Sequence, residues 1–453
     1  DNVDVITPHF ANWVEQHTRE ELLDLSLRYR LPFALANRPE QAASLQQQLS
    51  GENDHANWLY RTTSGPSTNV TYDSAHDPRK PLAGTLILDL STVWATPYVG
   101  QLLAQLGARV IKIESRRHLD DVRSIPTYRD PHTDGHADWD RSGGFREVNR
   151  GKESLELVLT TAEGRSLLHK LVPQADVLLS NLTPGADREH RLGIATEQLW
   201  NLHPGLVIGR LTAYEPTSRL AGMTGYGYGM LLMCGYGYSG PGHPWIDRGI
   251  AYPDPLASTS LALGVVRALT ERAMHGRGSL VEANLFGVSA ALMREFETTP
   301  ESNVAFEDCL PCAHEEWIAI SCRTTAEFAK LANVLDTNMH DDTDPTTAFM
   351  QKSRAWDAQS LQSVLRQHGV IAERVLDVRE LARTGRLTGS KMLHIPPSET
   401  HLHLASPWQL NNERIDVAAR SPWLGEHTAE LLEELLDIDA ITRDGLIERE
   451  VTW

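Results

Sequence analysis

One aspartate stands at the start of the longest apolar helical pattern in the chain. Asp254 lies in GIAYPDPLASTSLALGVVRAL, where apolar residues recur at helical spacing after Pro255. Unpaired backbone N–H groups and the helix dipole at such a position favour an ionised carboxylate. An ionised carboxylate can attack an activated carbonyl group and form a covalent intermediate. Asp254 is therefore a candidate nucleophile, and the alternative is that it only caps the helix.

The segments that must position Asp254 alternate between strand and helix patterns. TLILDL is a short apolar strand, the helix YVGQLLAQLG follows it, and Gly107 ends that helix before the strand RVIKIES. A strand, a helix and a strand within about thirty residues form a βαβ unit and hence a parallel sheet. The alternation continues through the strands ESLELVL, ADVLLSN and LVIGRLT. The sequence therefore predicts an α/β fold with a Rossmann-like parallel-sheet large domain.

Outside this region the pattern changes. Residues 300–400 carry shorter elements with Asp and Thr clusters, which predicts a smaller α+β domain. Residues 12–44 and 355–388 share one pattern, a helix followed by a short strand and a second helix with an acidic start. Chance similarity between amphipathic helices is the alternative. Residues 45–80 are polar and rich in Ser, Thr, Asn and Gly, which is typical of an exposed linker.

Composition excludes several classes of protein. The net charge of −18 over 453 residues argues against a nucleic-acid surface, because phosphates would be repelled. Four cysteines give no disulfide framework and fit a reducing cytosol. No apolar run reaches the ~18 residues of a membrane span, and no signal peptide is visible. We therefore predict a cytoplasmic protein without nucleic-acid or membrane partners. The missing initiator Met suggests a piece of a longer chain.

The cysteines offer a second candidate site. Cys309 and Cys312 form a CxxC motif, with His314 and Cys322 nearby. A zinc site usually needs four ligands at regular spacing, and this spacing does not supply the fourth. We therefore interpret these cysteines as buried inert thiols and predict no metal.

Ordered sequence blocks resemble one known family. The blocks are PLAGTLILDLSTVWATPYVGQLLAQLGARVIKIES, NRGKESLEL, AEGRSLLHKLVPQADVLLSN, PGADREHRLGI, HGRGSLVEANL and SPWLGEHTAELLEELL. They resemble the family III CoA-transferases, the group of formyl-CoA transferase and carnitine CoA-transferase, and they fall in the family order over residues 81–436. The resemblance implies the family fold, with interlocked pairing of two copies, and an enzyme of the EC 2.8.3 class.

The resemblance also suggests a tandem protein. Residues 12–44 resemble a segment that the family carries near its C-terminal end, as in the tandem dimethylsulfoniopropionate CoA-transferase/lyases. Pairing would then be a homodimer or an intramolecular pairing with a preceding homologous copy. The predicted divisions are 1–50 as the tail of a preceding copy, 51–80 as a linker, 81–299 as the large CoA-binding domain, 300–400 as the small domain and 401–453 as a segment returning to the large domain.

The family mechanism implies a role for Asp254. In related enzymes an aspartate attacks an acyl-CoA thioester and gives an acyl–aspartyl anhydride, then an aspartyl–CoA thioester, and finally a new acyl-CoA. The family nucleophile falls on Asp254 in this sequence. The resemblance therefore implies CoA transfer between an acyl-CoA and a small carboxylic acid, with or without a following lyase step. Coenzyme A enters as part of the substrate, and no metal is needed.

Carried over position by position, the resemblance assigns residues to the CoA site. They are Thr92, Val93, Trp94 and Ala95 at the thioester end, Asn181 and Leu182 along the pantetheine, Leu157 near the adenine, Lys152 at the adenosine end, and Arg191 and Arg116, or its neighbour Arg117, at the phosphates. Each Lys or Arg has the alternative of being a solvated surface charge.

Two features depart from the family pattern. Trp94 stands where many members have another residue, so the acyl pocket is expected to differ. The run of consecutive glycines that forms a lid in formyl-CoA transferases is not visible, so another segment must keep water from the intermediates. The Gly- and Tyr-rich residues 225–242 are a candidate lid, and a tightly packed turn region is the alternative.

Aromatic residues suggest one type of substrate. Several lie in segments expected near the site: Trp94, Tyr98, Tyr226, Tyr228, Tyr236 and Trp245. If they converge, they can bind an onium group such as that of carnitine through cation–π contacts. Core packing is the alternative.

Two other functions remain open. A 2-methylacyl-CoA racemase of this family pairs an Asp at this position with a His, so that each face of the α-carbon has a proton carrier. The corresponding segment LTAYEPTSRLAGMTGY has no His, which counts against a racemase. The third function is a non-catalytic half that stabilises an active partner, and the presence of Asp254 counts against it.

Overall fold

The predicted parallel sheet is present and belongs to the larger of two compact units. This unit comprises Asp1–Glu297 and Ile395–Trp453, and the smaller unit comprises Thr298–His394. The computed structural model describes residues 3–50, 59–68, 77–125, 137–183, 186–238, 251–297, 305–337, 345–384, 393–394, 403–415 and 419–453. The α/β class is confirmed.

Seven strands form the sheet, in the order β1-β7-β6-β5-β2-β3-β4. The strands are β1 (Arg61–Ser67), β2 (Leu86–Asp89), β3 (Arg109–Glu114), β4 (Glu153–Glu156), β5 (Val177–Ser180), β6 (Val207–Thr212) and β7 (Arg277–Asn284). β1 pairs antiparallel with β7, and the other neighbours pair parallel. The chain moves from β2 outward to β3 and β4, then returns to β5 on the other side of β2.

Helices connect and flank these strands. They are α1 (Val3–Glu15), α2 (Arg19–Tyr29), α3 (Pro39–Ser50), α4 (Ala95–Gln105), α5 (Asp121–Ser124), α6 (Gly143–Val148), α7 (Ala162–Leu171), α8 (Ala186–Leu192), α9 (Thr196–Leu202), α10 (Gly227–Met233), α11 (Pro253–His275) and α12 (Leu285–Glu297). No helix in the part of the chain that the structure describes has the length and apolar character to cross a bilayer.

The smaller unit has its own sheet and core. Strands β8 (Phe306–Pro311), β9 (Trp317–Cys322) and β10 (Ile371–Val375) pair antiparallel in the order β10-β9-β8. The other elements of this unit are α13 (Thr325–Val334), α14 (Pro345–Ser353), α15 (Ala358–Gln367), α16 (Val378–Arg383) and β11 (Leu393–His394). The C-terminal part of the larger unit adds β12 (His403–Leu404), β13 (Gln409–Leu410), β14 (Glu413–Arg414), α17 (Thr428–Leu436) and α18 (Ala440–Glu448).

Both faces of the large sheet are covered, which explains the apolar strands. Successive strand residues point to opposite faces. Ile87 packs in a core with α4, α11 and α12, whereas its neighbour Leu88 packs in a second core with α7, α9 and α17. Both side chains are fully buried. A parallel strand buried on both faces needs the continuous apolar runs seen in the sequence.

The expected linker at 45–80 differs from the structure over two stretches, the first being residues 45–50, which belong to α3 because Leu45 and Gln46 are buried. Arg61–Ser67 is an edge strand that pairs with Arg277–Asn284 of β7. Its sequence RTTSGPS is polar because most of these residues are exposed, and backbone hydrogen bonds with β7 hold it. Residues 51–58 and 69–76 of the expected linker lie outside the described residues.

Two further local expectations need correction. The helix–strand–helix pattern is present in α15, β10 and α16, but residues 30–38 after α2 form no strand. The closing helix begins at Thr428 rather than near Ser421. The reason is that the intervening segment binds β4: the Gly425 N–H, at a φ of 68° that favours glycine, donates to Ser154 Oγ at 2.9 Å.

Candidate active site

The loops after β2 and β5 meet at the carboxyl edge of the sheet, where the strand order reverses. Open α/β sheets bind ligands in the crevice at such a reversal. Asn181, after β5, joins the two loops: its Oδ1 accepts from the Thr92 N–H at 3.0 Å, and its Nδ2 donates to the Thr92 carbonyl at 2.6 Å. The structure thus brings together Thr92 and Asn181, which the resemblance assigned to one ligand.

Val93 in this loop has a strained backbone. Its φ is 73°, in the left-handed region that a β-branched residue rarely adopts. The Val93 N–H donates to Asp120 Oδ1 at 2.7 Å. Strain of this kind persists only where surrounding contacts enforce it, and it often occurs at functional sites.

A buried ionic network supports the loop from below. Lys112 pairs with Asp120 at 2.9 Å, Lys152 pairs with Asp89 at 2.7 Å, and all four side chains are fully buried. The Lys112 ammonium also contacts the Ser91 carbonyl. Burial opposes ionisation of Asp89, but Lys152 and Lys112 still hold its pKa below the usual value. The network therefore fixes the residues around Val93 through Asp120 and Lys112.

Lys152 lies inside this network rather than on an open surface. Its ammonium donates to Asp89 Oδ2, to the Pro97 carbonyl and to Asn149 Oδ1, each at 2.7 Å. Burial lowers the pKa of Lys152 to about 8. A contact with the adenosine of CoA would require Lys152 to leave these three acceptors, so its contacts support a structural role under the loop.

Asp254 lies in the first turn of α11 and is half-buried. The Ser258 hydroxyl lies 2.6 Å from the Asp254 carbonyl and 2.7 Å from the Ala95 carbonyl, so the start of α11 is tied to the start of α4. Burial raises the pKa of Asp254 to about 7. No Lys, Arg or His of the described residues forms an ion pair with this carboxylate. Asp254 thus lies in the same region as Ala95 and the loop between β2 and α4 that contains Thr92, called the Thr92 loop.

Gly227, the first residue of α10, closes one side of Asp254. A Cβ on Gly227 would lie 1.9 Å from Asp254 Oδ2 and 2.7 Å from the Cβ of Ala251. No side chain fits there without displacing the carboxylate. The backbone of α10 therefore shields Asp254 at a distance that only glycine allows.

A Gly227→Ala variant tests this contact. If Asp254 is the predicted nucleophile, we expect kcat to fall by about 100-fold or more, because displacement of its carboxylate removes the near-attack geometry. Steady-state transfer assays, with circular dichroism to check the fold, measure the effect. Gly222→Ala is the matched control, since no atom lies within 4 Å of a Cβ at Gly222. Equal activity of the two variants would contradict the contact.

The other assigned residues differ in whether their side chains are already bound to other groups. Arg116 is bound to Glu156 by Nε and Nη2, each at 2.9 Å, and stacks 4.9 Å from the Trp453 ring. Leu157 is buried. Arg191 is exposed on α8 and has no ion pair among the described residues. Arg191 is thus open to a phosphate, whereas Arg116 is already engaged. Arg117 forms an ion pair with Glu450. Leu182 is half-buried.

Two of the six aromatic residues pack against each other. Trp94 and Tyr98 pack with ring centroids 5.0 Å apart. Tyr226 and Tyr228 are exposed at the start of α10. Burial raises the pKa of Tyr236 to about 12. Trp245 lies outside the described residues, as do 239–242 of the candidate lid. Trp94 and Tyr98 are therefore the pair with which a cation could interact.

The prediction that these cysteines are buried holds for Cys312 and Cys322 and is wrong for Cys309, which is exposed on the edge strand β8. Burial raises the pKa values of Cys312 and Cys322 to about 11 and also raises that of Cys309. Within the described ranges, no cluster of three His, Cys, Asp or Glu residues is arranged to hold a metal. Such thiols stay protonated at neutral pH.

Some residues that support the Thr92 loop and Asp254 were not predicted from the sequence. Asp120 and Lys112 were not singled out, although the charged residues of HLDDVRS directly after a buried strand were a usable signal. Ser258, four residues after Asp254, also carried a signal, because that spacing places both on one helix face. Gly227 had only the glycine-rich context of its loop.

Comparison with known proteins decides the family. A family model described as CoA-transferase family III matches residues 82–428. The chain belongs to this family. As a family III CoA-transferase it is an enzyme of the EC 2.8.3 class, and its substrates include CoA thioesters. The predicted family is confirmed.

Individual relatives of this CoA-transferase support the assignment. It is 29% identical to a succinyl-CoA–D-citramalate CoA-transferase of Chloroflexus aurantiacus, over 82% of this chain and 98% of the relative. It is 24% identical to a succinate–glutarate CoA-transferase of Agrobacterium fabrum, over 80% of this chain and 97% of the relative. A crystal structure of a CAIB/BAIF family protein from Brucella suis superposes with a TM-score of 0.68 at 26% identity, covering 79% of this chain and 100% of that one.

Proposed function

We propose that this enzyme moves CoA from an acyl-CoA to a small carboxylic acid through covalent intermediates on Asp254. One observation carries the proposal. A shielded carboxylate with a raised pKa stands beside the crevice between β2 and β5, where the family match leads us to expect the CoA thioester.

The steps follow from carboxylate and thioester chemistry. An oxygen of Asp254 attacks the thioester carbonyl, the C–S bond breaks, and CoA leaves as a thiolate. The thiolate then attacks the aspartyl carbonyl of the anhydride and releases the first acid. The acceptor carboxylate attacks the aspartyl–CoA thioester and again frees the thiolate. Attack of the thiolate on the new acyl carbonyl gives the second acyl-CoA and restores Asp254.

The surroundings of Asp254 suit these steps. Burial leaves the ionised carboxylate poorly solvated, which makes it a better nucleophile toward a neutral carbonyl. The Ser258 hydroxyl holds the start of α11 against α4, so the carboxylate keeps its position relative to the Thr92 loop. Gly227 shields one side from water, which protects the anhydride from hydrolysis.

A labelled acceptor tests the covalent mechanism during turnover. With both carboxylate oxygens of the acceptor as oxygen-18, the cycle leaves one heavy oxygen on Asp254. We expect the peptide that contains Asp254 to gain this mass after turnover, and Asp439, a helix-capping aspartate of α18, serves as the internal control. Succinyl-CoA with D-citramalate or glutarate is the first pair to test, because relatives carry these names. Turnover without heavy oxygen on Asp254 would contradict the mechanism.

The pH dependence follows from the raised pKa of Asp254. Only the ionised carboxylate attacks, so kcat/KM should fall about tenfold per pH unit below a pKa of about 7 and level off above it. At the ordinary value of 3.8 the rate would stay constant over this range. Initial rates are measured from about pH 5.5 to 8.5 with substrates that do not titrate in this range. They give the slope of kcat/KM below the pKa of Asp254. A flat profile would show that Asp254 is not the limiting base or nucleophile.

Racemisation remains the rival chemistry within this superfamily. It requires a second proton carrier opposite Asp254, and burial alone accounts for the raised pKa of Asp254 among the described groups. A racemase would exchange the α-proton of a 2-methylacyl-CoA with deuterium from solvent, without an acceptor acid. We expect no such exchange.

Substrate and assembly form the finer part of the proposal. Carnitine as acceptor tests the onium hypothesis, because the Trp94–Tyr98 pair offers aromatic faces. Acrylate-type products from dimethylsulfoniopropionate would reveal a following lyase step. We propose pairing with a second copy, either as a homodimer or with a preceding homologous copy. Sedimentation of the chain alone distinguishes a monomer from a dimer.

A further inference from the structure

The glycine-rich motif GYGYGMLLMCGYG contains α10, and its glycines face two directions. Gly227 contacts Asp254, as described above. A Cβ on Gly229 would lie 2.8 Å from the Cβ of Ala34, and one on Gly235 would lie 3.2 Å from the backbone of Pro39. α10 is therefore packed between Asp254 and the N-terminal segment, with glycine at each close contact.

Asn37 holds the C-terminal end of α10. Its backbone N–H donates to the Leu232 carbonyl at 3.0 Å, and its Nδ2 donates to the Met233 carbonyl at 2.7 Å. Carbonyls at a helix C-terminus lack partners within the helix, and Asn37 Nδ2 supplies a donor to the Met233 carbonyl, whereas the Leu232 carbonyl also accepts from the Gly235 N–H at 3.1 Å. Asn37 is 2% exposed, which makes the contact a specific one.

The N-terminal segment in turn fixes Asn37. Arg19, the first residue of α2, donates from Nη2 to Asn37 Oδ1 at 2.5 Å and from Nη1 to the Ala36 carbonyl at 3.0 Å. α3 packs against α12 on the same side of the sheet. The segment is thus anchored at both ends around Asn37, and all of it precedes residues 82–428 that match the family.

We propose that residues 18–50 are a positioning element for the reaction, in which Asn37 holds α10 over the Asp254 carboxylate. This inference rests on the proposed function of Asp254. Asn37 touches no reacting atom, so it acts through α10 alone. Loosening α10 would let the carboxylate move and let water reach the intermediates.

An Asn37→Ala variant tests the positioning role. We expect kcat for transfer to fall about tenfold, the KM for acyl-CoA to stay within about twofold, and the fraction of acyl-CoA lost to hydrolysis to rise. Hydrogen exchange should speed up in the peptide covering residues 227–235, a readout that does not depend on activity. Ser353→Ala, which removes a buried hydroxyl that donates to the Pro311 carbonyl in the smaller unit, is the matched control.

The possible results separate the positioning role of Asn37 from the proposed function of Asp254. Unchanged kcat, hydrolysis fraction and exchange in Asn37→Ala would overturn the positioning role while leaving the function of Asp254 intact. If the wild-type enzyme carries no intermediate on Asp254, the proposed function fails instead. Should Asn37→Ala not fold, Arg19→Met removes only the outer partner of Asn37, and the same changes at smaller size are expected. Their absence in a folded Arg19→Met variant would also contradict the role.

Discussion

Asp254→Asn is expected to lower kcat for CoA transfer by about 10⁴-fold or more, while the fold is kept. The amide has nearly the shape of the carboxylate but cannot attack the thioester carbonyl. Chromatographic separation of donor and product acyl-CoA gives the rate. Thermal unfolding at about pH 8 should show no loss of stability, because the variant replaces a partly desolvated carboxylate, which has no ion pair among the described residues, with a neutral group.

Asp439→Asn is the matched control for this result. Asp439 caps α18, its carboxylate accepts from the Thr442 N–H at 2.8 Å, and Asn is also a good helix cap. We expect wild-type activity from this variant. Loss of activity in both variants, or retention of more than about a tenth of the rate in Asp254→Asn, would contradict a nucleophilic Asp254.

Lys112→Met is expected to reduce the free energy of unfolding by about 3–5 kcal/mol, the largest stability effect that we expect. Lys112 and Asp120 are both fully buried, so the variant removes the cation from a buried carboxylate, whose remaining donors among the described residues are the Val93 and Val122 N–H groups. Asp120 also accepts from the strained Val93 N–H, and the loop at the crevice should lose order as well. Urea unfolding gives the stability, and the KM for acyl-CoA reports on the loop.

An exposed ion pair provides the comparison. Arg449 pairs with Glu163 at 3.0 Å, and both side chains are about half exposed, so Arg449→Met should cost about 0–1 kcal/mol. The double variant Lys112→Met/Asp120→Asn removes both buried charges and should recover part of the loss. Equal costs for Lys112→Met and Arg449→Met would show that the buried network contributes little.

Most of the large sheet could be predicted, because parallel strands buried on both faces leave a direct mark on the sequence. Three strands are apolar runs separated by helical patterns: Leu86–Asp89, Val177–Ser180 and Val207–Thr212. Arg61–Ser67 carries no such mark, since an exposed edge strand is held by backbone hydrogen bonds with β7. The missing strand after α2 has a similar reason: the segment at 31–38 bonds to α10 instead of to a sheet neighbour.

The sequence could name candidate site residues, which stay a prediction, but it could not give their electrostatics. Asp254 and the Thr92 loop follow from an apolar helix start and the family blocks. Whether a lysine is buried depends on partners far away in the chain, and Lys152 pairs with Asp89 from another strand. Residue type alone favours a solvated Lys, and the family resemblance suggested a ligand contact at that position; neither predicts burial.

Covalent trapping of the enzyme during turnover tests most directly whether Asp254 forms the covalent intermediates. Wild-type protein is mixed with acyl-CoA, quenched with hydroxylamine or borohydride, and digested for mass mapping. We expect a hydroxamate or a reduced side chain on Asp254, which depends on acyl-CoA and is absent in Asp254→Asn. Efficient transfer with no modification of Asp254, or with the modification on another residue, would contradict it.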